Sequence, residues 1–295
     1  MNKSLGLYGN VLSCGNYISH EASVRKLIES FEGFALFLGS YDLKGGIGRK
    51  LCDKQRKLRV ASRKRRNRSI DGCILAGAMY DDALAKIAEI RMPVVVLGGK
   101  HIRQQVPIIS RDSLKEFGIF LDYAEERGHT KIWVAEDSYN ARHDFGILLK
   151  NRPQFELRLL DGPHTDEIVY AYHWAKRFLA LPQSERPTLI FGADQFCCVM
   201  ARELARNGVP CPEQISFMCF SDTEMAACYN PALTVYACQH FNEGYQGAKL
   251  LIETLEKNLS PEESIRLANS ITMTSVFIER ESVRNLKKKK REKIR

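Results

Sequence analysis

Short apolar runs alternate with amphipathic segments along most of this chain, and this alternation limits its fold more than any other feature. The runs typical of buried strands are Leu5–Tyr8, Phe34–Leu38, Gly72–Ala76, Val94–Leu97, Lys131–Ala135, Glu156–Leu160, Thr188–Phe191, Ile215–Phe220 and Met273–Glu279. Strands that alternate with helices indicate a largely parallel sheet with helices on both faces. Since 295 residues, 44% of them hydrophobic, can fill two cores, we predict an α/β fold of two doubly wound parallel-sheet subdomains around a cleft.

The segments between the strands carry apolar residues at helical spacing. They predict helices over the following ranges: 24–31, 49–66, 81–90, 112–127 with Asp112 as N-cap, 142–149, 165–181, 194–206 and 243–256. Tyr170, Tyr172 and Trp174 share one of these helices without sharing one face, so we expect them to divide between core and rim.

The net charge of +9 is an average over very different segments. Residues 49–68 hold eleven Lys or Arg against Asp53, and residues 287–295 hold seven against Glu292, which leaves a mildly acidic body. Two interpretations stay open for these segments. They are solvated charge runs, or they bind phosphates without sequence preference, with Arg63, Lys64, Arg65 and Arg66 as the densest group.

Several classes of function find no support in the sequence. The nine cysteines form no CxxC pair, and several lie in apolar runs, which favours buried free thiols in a reducing cytoplasm. No signal-peptide pattern or membrane span is present, and no metal-ligand spacing, phosphate-binding loop or nucleophile motif occurs. We therefore expect a cytoplasmic protein that is not an enzyme, with no catalytic residue, no metal, no cofactor and no membrane partner.

The richest stretch runs from Leu189 to Thr234, where polar residues follow two successive strands. Asp194 follows the first strand and opens a helix, and Ser221–Thr223 follows the second. In open parallel sheets, ligands bind beyond the carboxyl ends of the strands. We therefore expect a ligand site at this edge.

The same stretch resembles the ligand-sensing domain of LacI/GalR-type transcriptional regulators, which has the type I periplasmic-binding-protein fold. The resemblance rests on a set of motifs in family order: Asp71–Leu75, Met92–Leu97, Gly128–Ile132, Asp194, Gly208–Pro210, Gln214–Ser216, Cys219–Thr223, Pro231–Val235, Gly244, Gly247–Ala248 and Arg280–Ser282. It covers roughly residues 5–282.

The resemblance implies the domain organisation and the partners. The N-terminal subdomain would comprise 1–110 and 240–265, the C-terminal subdomain 111–239 and 266–282, and 283–295 would be a disordered basic tail. The implied function is binding of a small sugar-like effector in the cleft between the two subdomains, in a protein that forms a homodimer. Closure of the cleft would then alter DNA binding.

The resemblance also implies the ligand contacts. Arg142 matches a family arginine that donates paired hydrogen bonds to the ligand, although a solvated arginine at a helix start is the alternative. Asn10, Tyr170 and His240 fall near cleft positions. Asp194 is expected mainly to cap its helix and secondarily to bind ligand. Ser221 stands where sugar-binding members have a carboxylate, and Ala193 where some have asparagine, so the usual sugar is not assured.

No helix-turn-helix precedes the first predicted strand, which suggests a naturally headless sensor or a fragment whose DNA-binding domain is missing. DNA would then be contacted through that domain or directly through the basic segments. Two alternative functions remain. The chain is a transport-type sugar-binding protein, or it is a ligandless derivative that binds nucleic acid through its basic segments.

Overall fold

The computed structural model describes the backbone of residues 3–10, 34–41 and 139–140, and residues 71–76, 92–98, 106–135, 141–161, 167–237 and 239–287 in full. The chain divides into two units, each made of separate chain segments. Unit 1 comprises Met1–Arg111 and Gln239–Thr274, and unit 2 comprises Asp112–Cys238 and Ser275–Arg295. The chain therefore returns to unit 2 after Thr274, whereas the sequence predicted this return after residue 265.

Unit 1 contains a five-stranded sheet in which every pairing is parallel. The strands are β1 (Lys3–Asn10), β2 (Phe34–Tyr41), β3 (Gly72–Ala76), β4 (Val94–Leu97) and β5 (Ile108–Ile109). Their order across the sheet is β2-β1-β3-β4-β5. The order therefore reverses between β1 and β3, which is where ligands bind in doubly wound sheets.

Unit 2 contains a six-stranded sheet with the same kind of order, β11-β10-β9-β8-β6-β7. The strands are β6 (Lys131–Val134), β7 (Glu156–Leu159), β8 (Leu189–Gly192), β9 (Ser216–Cys219), β10 (Thr234–Ala237) and β11 (Val276–Ile278). All pairings are parallel except that of β11 with β10, which is antiparallel. The prediction of two largely parallel α/β sheets is confirmed, and the reversal in this sheet falls between β6 and β8.

Seven helices cover the described parts of the two sheets. They are α1 (Ser113–Glu126), α2 (Tyr139–Leu148), α3 (Glu167–Ala180), α4 (Asp194–Arg206), α5 (Glu224–Cys228), α6 (His240–Lys257) and α7 (Pro261–Ser270). Asp112 is the N-cap of α1 as predicted, since its carboxylate accepts a hydrogen bond from the Lys115 backbone nitrogen at 3.1 Å. The helices predicted at 24–31, 49–66 and 81–90 lie outside the described residues.

The core of unit 1 depends on helix α6, which follows the first segment of unit 2 in the sequence. Its residues Ala248, Leu251 and Ile252 are buried against Ile74 and Val95 of the sheet. A β-carbon on Gly247 would lie 2.4 Å from Leu97 Cδ2, and one on Gly72 would lie 3.0 Å from Leu251 Cδ1. Helix α6 therefore runs antiparallel to β3 and β4, with its first turn at the carboxyl ends of these strands.

Two hydrophobic layers flank the sheet of unit 2. Trp174 and Phe178 of α3 pack with Phe196 of α4 on one face, whereas Phe120 and Phe145 of α1 and α2 pack on the other. Of the six described cysteines, five are buried free thiols and Cys228 is exposed. This burial confirms the sequence prediction for five of them.

Residues 283–287, which were predicted to belong to a disordered tail, are held against unit 2. Val283 is buried, the Leu286 backbone nitrogen donates to the Arg127 carbonyl at 2.8 Å, and the Arg284 backbone nitrogen donates to Ser216 Oγ at 3.1 Å. The prediction was wrong for residues 283–287, because an apolar side chain and backbone hydrogen bonds fix them to unit 2. The basic residues 288–295 lie outside the described part of the chain.

Candidate functional site at the carboxyl ends of the strands

The carboxyl end of β8 carries Asp194, the first residue of α4. The N-cap of this helix is Ala193, whose side chain makes no capping hydrogen bond. The prediction that Asp194 caps the helix was therefore wrong, because the helix begins one residue earlier than that role requires. Its carboxylate instead accepts a hydrogen bond from the Thr223 hydroxyl, and its charge lies in the first helical turn, where it is favourable.

The loop after β9 brings further polar groups to the same edge. Thr223 is the N-cap of α5 and accepts a hydrogen bond from the Ala226 backbone nitrogen at 3.4 Å. Arg280 ties this loop to the next one, since its guanidinium donates to Asp222 at 2.7 Å and to the Leu233 carbonyl at 2.9 Å. The loop that carries Thr223, the hydrogen-bond partner of Asp194, is therefore cross-linked to the loop that follows α5.

Ser221 is buried in this loop, and its carbonyl accepts a hydrogen bond from the Cys219 thiol at 3.4 Å. Cys198, on the helix that Asp194 opens, is also buried. Burial, and secondarily the negative charge of Asp194, raises the pKa of Cys198 to about 12. Burial likewise raises the pKa of Cys219 well above its usual value. Both sulfurs are therefore neutral thiols at physiological pH and are poor nucleophiles.

Arg142 and Tyr170 reach the same edge of the sheet from other helices. Arg142 is exposed in the first turn of α2, the helix that follows β6. Tyr170 is buried, and its hydroxyl donates to the carbonyl of Leu160, the residue after β7, at 2.7 Å. This hydrogen bond makes Tyr170 part of the scaffold. Tyr170 and Trp174 are buried and Tyr172 is exposed, which confirms the predicted division between core and rim.

A serine, an aspartate and a histidine meet near the start of α1, but in an order that does not activate a nucleophile. Ser113 Oγ donates to Asp144 Oδ2 at 2.5 Å, while the ring of His143 lies 3.0 Å from the other carboxylate oxygen. The aspartate therefore stands between the hydroxyl and the imidazole. In a hydrolytic triad, the histidine must contact the hydroxyl directly.

The first turn of α6 lies at the carboxyl edge of the sheet in unit 1. The ring of His240 approaches the buried Glu243 carboxylate at 3.3 Å. A β-carbon on Gly98, the residue after β4, would lie 3.8 Å from the same carboxylate. Gly98 has a φ of +86°, a conformation that favours glycine. This glycine lets the chain turn beside the His240–Glu243 pair.

Phe241 is an aromatic residue at this edge that was not predicted from the sequence. Its side chain is 45% exposed in the first turn of α6. The helix was expected to begin at Glu243, so Phe241 was assigned to a connection. An exposed aromatic beside a histidine at a strand-end edge is the signal that could have identified it.

The six predicted ligand residues thus fall at the carboxyl edges of the two sheets. Arg142, Tyr170, Asp194 and Ser221 belong to unit 2. Asn10 is the last residue of β1, opposite Tyr41 in the register, and with His240 belongs to unit 1. Their contact with ligand stays a prediction. Arg63, Lys64, Arg65 and Arg66 lie outside the described residues.

Comparison with known proteins agrees with this arrangement. Residues 121–283 match the family described as periplasmic binding protein-like domain. The chain belongs to this family. The predicted resemblance to the ligand-binding domain of LacI-type regulators is thereby confirmed. Among the described residues, no helix is both long and apolar enough to cross a membrane. Those residues also contain no group of three or more potential metal ligands.

Individual relatives are regulators. The arabinose metabolism transcriptional repressor of Geobacillus stearothermophilus is 22% identical over 181 residues, which are 57% of this chain and 48% of that protein. The matched region therefore spans about half the length of this curated relative.

Two solved structures show the same fold. One is the LacI family transcriptional regulator CCPA from Weissella paramesenteroides with bound glucose, with a TM-score of 0.74 and 16% identity over 97% of this chain and 100% of that chain. The other is the lac repressor dimer bound to operator and the anti-inducer ONPF. Its TM-score is 0.73, with 17% identity over 96% of this chain and 95% of that chain.

Proposed function

We propose that the chain is the effector-sensing domain of a LacI-type transcriptional regulator and binds a small, polar, sugar-like metabolite. One observation carries the proposal. In both units, polar or aromatic side chains gather at the carboxyl ends of strands in a sheet whose strand order reverses, which is where this class of fold binds ligands. The glucose in the Weissella regulator and the arabinose-related name of the Geobacillus repressor support a carbohydrate as the effector.

The chemistry of the two edges suits a hydroxyl-rich ligand. Asp194 supplies acceptor oxygens, Arg142 supplies paired donors, and the exposed ring of Phe241 can pack against the apolar face of a sugar ring. His240 adds a further hydrogen-bonding group. Because Ala193 and Ser221 bring no charge, we expect this ligand to differ from the sugars of relatives that have polar side chains at both positions.

We further infer that the chain acts as a homodimer through an apolar surface on unit 2. This surface, the α3–α5 surface, consists of Val169 and Tyr172 on α3 and Met225 on α5. Their exposed fractions are 64%, 45% and 47%. Helices α3 and α5 both pack against α4, and exposed apolar residues on such elements mark association surfaces. The dimeric lac repressor supports a second copy as the partner, and an effector that favours one dimer state would then bias DNA binding.

Thermal unfolding with a panel of sugars tests effector binding. A ligand at about one hundred times its dissociation constant should stabilise the protein by about 2.7 kcal/mol. That corresponds to a rise in Tm of several degrees. The panel should include arabinose, glucose and sucrose, and extend to other pentoses, hexoses and their glycosides.

Two variants show whether the shift comes from the proposed edge. Arg142→Gln should remove most of the ligand-induced shift, whereas Arg206→Gln, which removes the same charge at the end of α4, should leave it intact. If no compound of a broad metabolite panel raises the Tm of the unmodified protein, the sensing proposal is wrong.

A further inference from the structure

The outer edge of the sheet in unit 2 carries two arginines held over one tryptophan. The guanidinium carbon of Arg158, on β7, lies 4.9 Å from the centroid of the Trp174 ring and 5.8 Å from that of Trp133. The guanidinium carbon of Arg177, on α3, lies 4.9 Å from the same Trp174 centroid. Because Trp174 is fully buried and its indole nitrogen donates to the Asp161 carbonyl at 3.2 Å, the platform beneath the two cations is fixed.

We call Arg158 and Arg177 the arginine pair. Each lies 4.9 Å from the same centroid, so the two guanidiniums are no further apart than twice that distance. Both residues are exposed, and within the described part of the chain neither forms a salt bridge with a carboxylate. A guanidinium held over an aromatic ring can still direct N–H donors to a planar anion.

The strand that carries Arg158 also presents a row of backbone groups. β7 is the last strand at its side of the described sheet. The backbone nitrogens of Glu156 and Leu160 donate inward, to the Thr130 and Val134 carbonyls at 2.8 Å. Because inward and outward groups alternate in a parallel ladder, the N–H and C=O groups of Leu157 and Leu159 point away from the sheet.

The two faces of this edge differ in chemistry. Arg158 lies on the face covered by α3, together with Arg177. Leu157 and Leu159 point to the opposite face, where they pack, half-buried, against the cluster that contains Phe145. A strand added along β7 would therefore meet Arg158, flanked by Arg177 of α3 and by the Lys131-paired Glu156, on one face and leucines on the other.

We propose that the β7 edge binds an extended peptide segment of a protein partner in which acidic residues alternate with apolar residues. The segment adds one strand to the sheet through the outward groups of Leu157 and Leu159, and its carboxylates contact the arginine pair. Side chains two residues apart on a strand are about 6.6 Å apart, a spacing that two guanidiniums sharing one indole can match.

Two other occupants fit the edge less well. A second copy of β7 paired symmetrically about Arg158 would bring one Arg158 against another, and like charges opposite each other on neighbouring strands are unfavourable. A nucleic acid would place phosphates near the exposed Glu156 and Asp161, which flank Arg158 along the chain. Glu156 already neutralises Lys131 at 3.2 Å. The charge pattern therefore favours a peptide with separated carboxylates over a continuous polyanion.

The test uses a fluorescein-labelled, end-blocked nine-residue peptide of alternating Glu and Val, with fluorescence anisotropy of the full chain as readout. We expect saturable binding that weakens with salt. The double variant Arg158→Gln/Arg177→Gln should weaken it at least tenfold, whereas Arg206→Gln should change it less than twofold. A peptide of the same composition with its Glu and Val residues in separate blocks, and one with Pro at alternate positions, should both bind at least tenfold more weakly.

A charge swap keeps the test decisive if the double variant loses stability. The variant Arg158→Glu/Arg177→Glu should bind an alternating Lys–Val peptide in preference to the Glu–Val peptide. Equal affinity of the parent and the double glutamine variant for the Glu–Val peptide would overturn the proposal. So would equal affinity of the parent for the block peptide, or tighter binding of a nine-nucleotide oligothymidylate than of the peptide.

Discussion

His129 is a buried histidine at the end of the β6 strand opposite the candidate site. Its Nε2 donates to the Arg284 carbonyl at 2.9 Å, and its Nδ1 lies 3.0 Å from the Thr188 hydroxyl. Burial is the largest cause that lowers its pKa, to about 4, and the charges of Arg284 and Arg127 act in the same direction. The folded protein therefore holds His129 neutral at physiological pH.

This depressed pKa predicts a loss of stability in acid. The stabilising contribution is fully present above about pH 6.5, where the unfolded histidine is also neutral, and it is lost as pH falls towards about 4, by at most about 3 kcal/mol. His129→Gln keeps a side-chain donor for the Arg284 carbonyl but does not titrate. Urea unfolding at pH 7 and pH 4.5 should show a smaller loss for the variant, and equal losses would contradict the assignment.

Gly247 and Gly146 are two helical glycines in opposite surroundings. A β-carbon on Gly247 would lie 2.4 Å from Cδ2 of the fully buried Leu97, whereas one on Gly146 would meet no atom within 4 Å. Gly247→Ala should lower the free energy of unfolding by about 1–3 kcal/mol through overpacking. Gly146→Ala should raise it by about 0.5–1 kcal/mol, because alanine favours the helix. Chemical denaturation measures both, and a neutral Gly247→Ala would show that Leu97 can move aside.

At the scale of single elements, α7 shows how a helix start is specified locally. Ser260 accepts a hydrogen bond from the Glu263 backbone nitrogen at 3.2 Å, and the Glu263 carboxylate accepts one from the Ser260 backbone nitrogen at 2.8 Å. Pro261 occupies the first turn, where its missing N–H is not needed. These reciprocal bonds fix where the helix begins.

Ser260→Ala should therefore destabilise the protein by about 1 kcal/mol. The hydrogen bonds with Ser260 lower the pKa of Glu263, so the stabilising effect of the cap is present at neutral pH and declines as pH falls through the acidic range. Glu262→Ala, in the same turn but outside the reciprocal bonds, is the control. Urea denaturation of both variants at pH 7 should separate them, and equal effects would contradict the role of the cap.

The elements that the sequence predicted well are those whose periodicity agrees with their packing. Helix α4 runs from Asp194 to Arg206 as expected, because its apolar residues form one stripe that is buried against β8 and β9. Helix α7 was missed although Ser260 and Glu263 have capping-box spacing, because few of its residues are buried. Helix α6 begins at His240 rather than Glu243, because its first turn lies beside the carboxyl end of β4.

The sequence predicted at which edge of the sheet the candidate site lies, but it did not predict the role of each side chain. Strand ends and family motifs placed Arg142, Asp194 and Ser221 correctly at that edge. The partner of Asp194 is Thr223, a contact between two loops 29 residues apart, and no local pattern indicates it. The hydrogen bond of the Tyr170 hydroxyl to a backbone carbonyl within the fold was likewise not predicted, and its contact with ligand stays a prediction.

At the scale of the whole molecule, the α3–α5 surface predicts the oligomeric state. Val169→Glu would place a charge at the most exposed of its apolar residues, so burial against a second copy would become unfavourable. We expect a dimer in the unmodified protein and a monomer in the variant, measured by size-exclusion chromatography with light scattering. Ile147→Glu, at a 41% exposed isoleucine on α2, should remain dimeric. A dimeric Val169→Glu would show that the interface lies elsewhere.

The division of each unit between separate chain segments has a consequence for biosynthesis. On a ribosome, β1–β5 emerge first, but the helix that buries Ile74 and Val95 emerges only after residue 239. Unit 2 is also incomplete at that moment, since Ser282 has yet to be made. The hydroxyl of Ser282 donates to the Phe217 carbonyl and accepts from the Thr234 backbone nitrogen. The face of this sheet that α6 covers therefore lacks that apolar partner until residues 248–252 have been made.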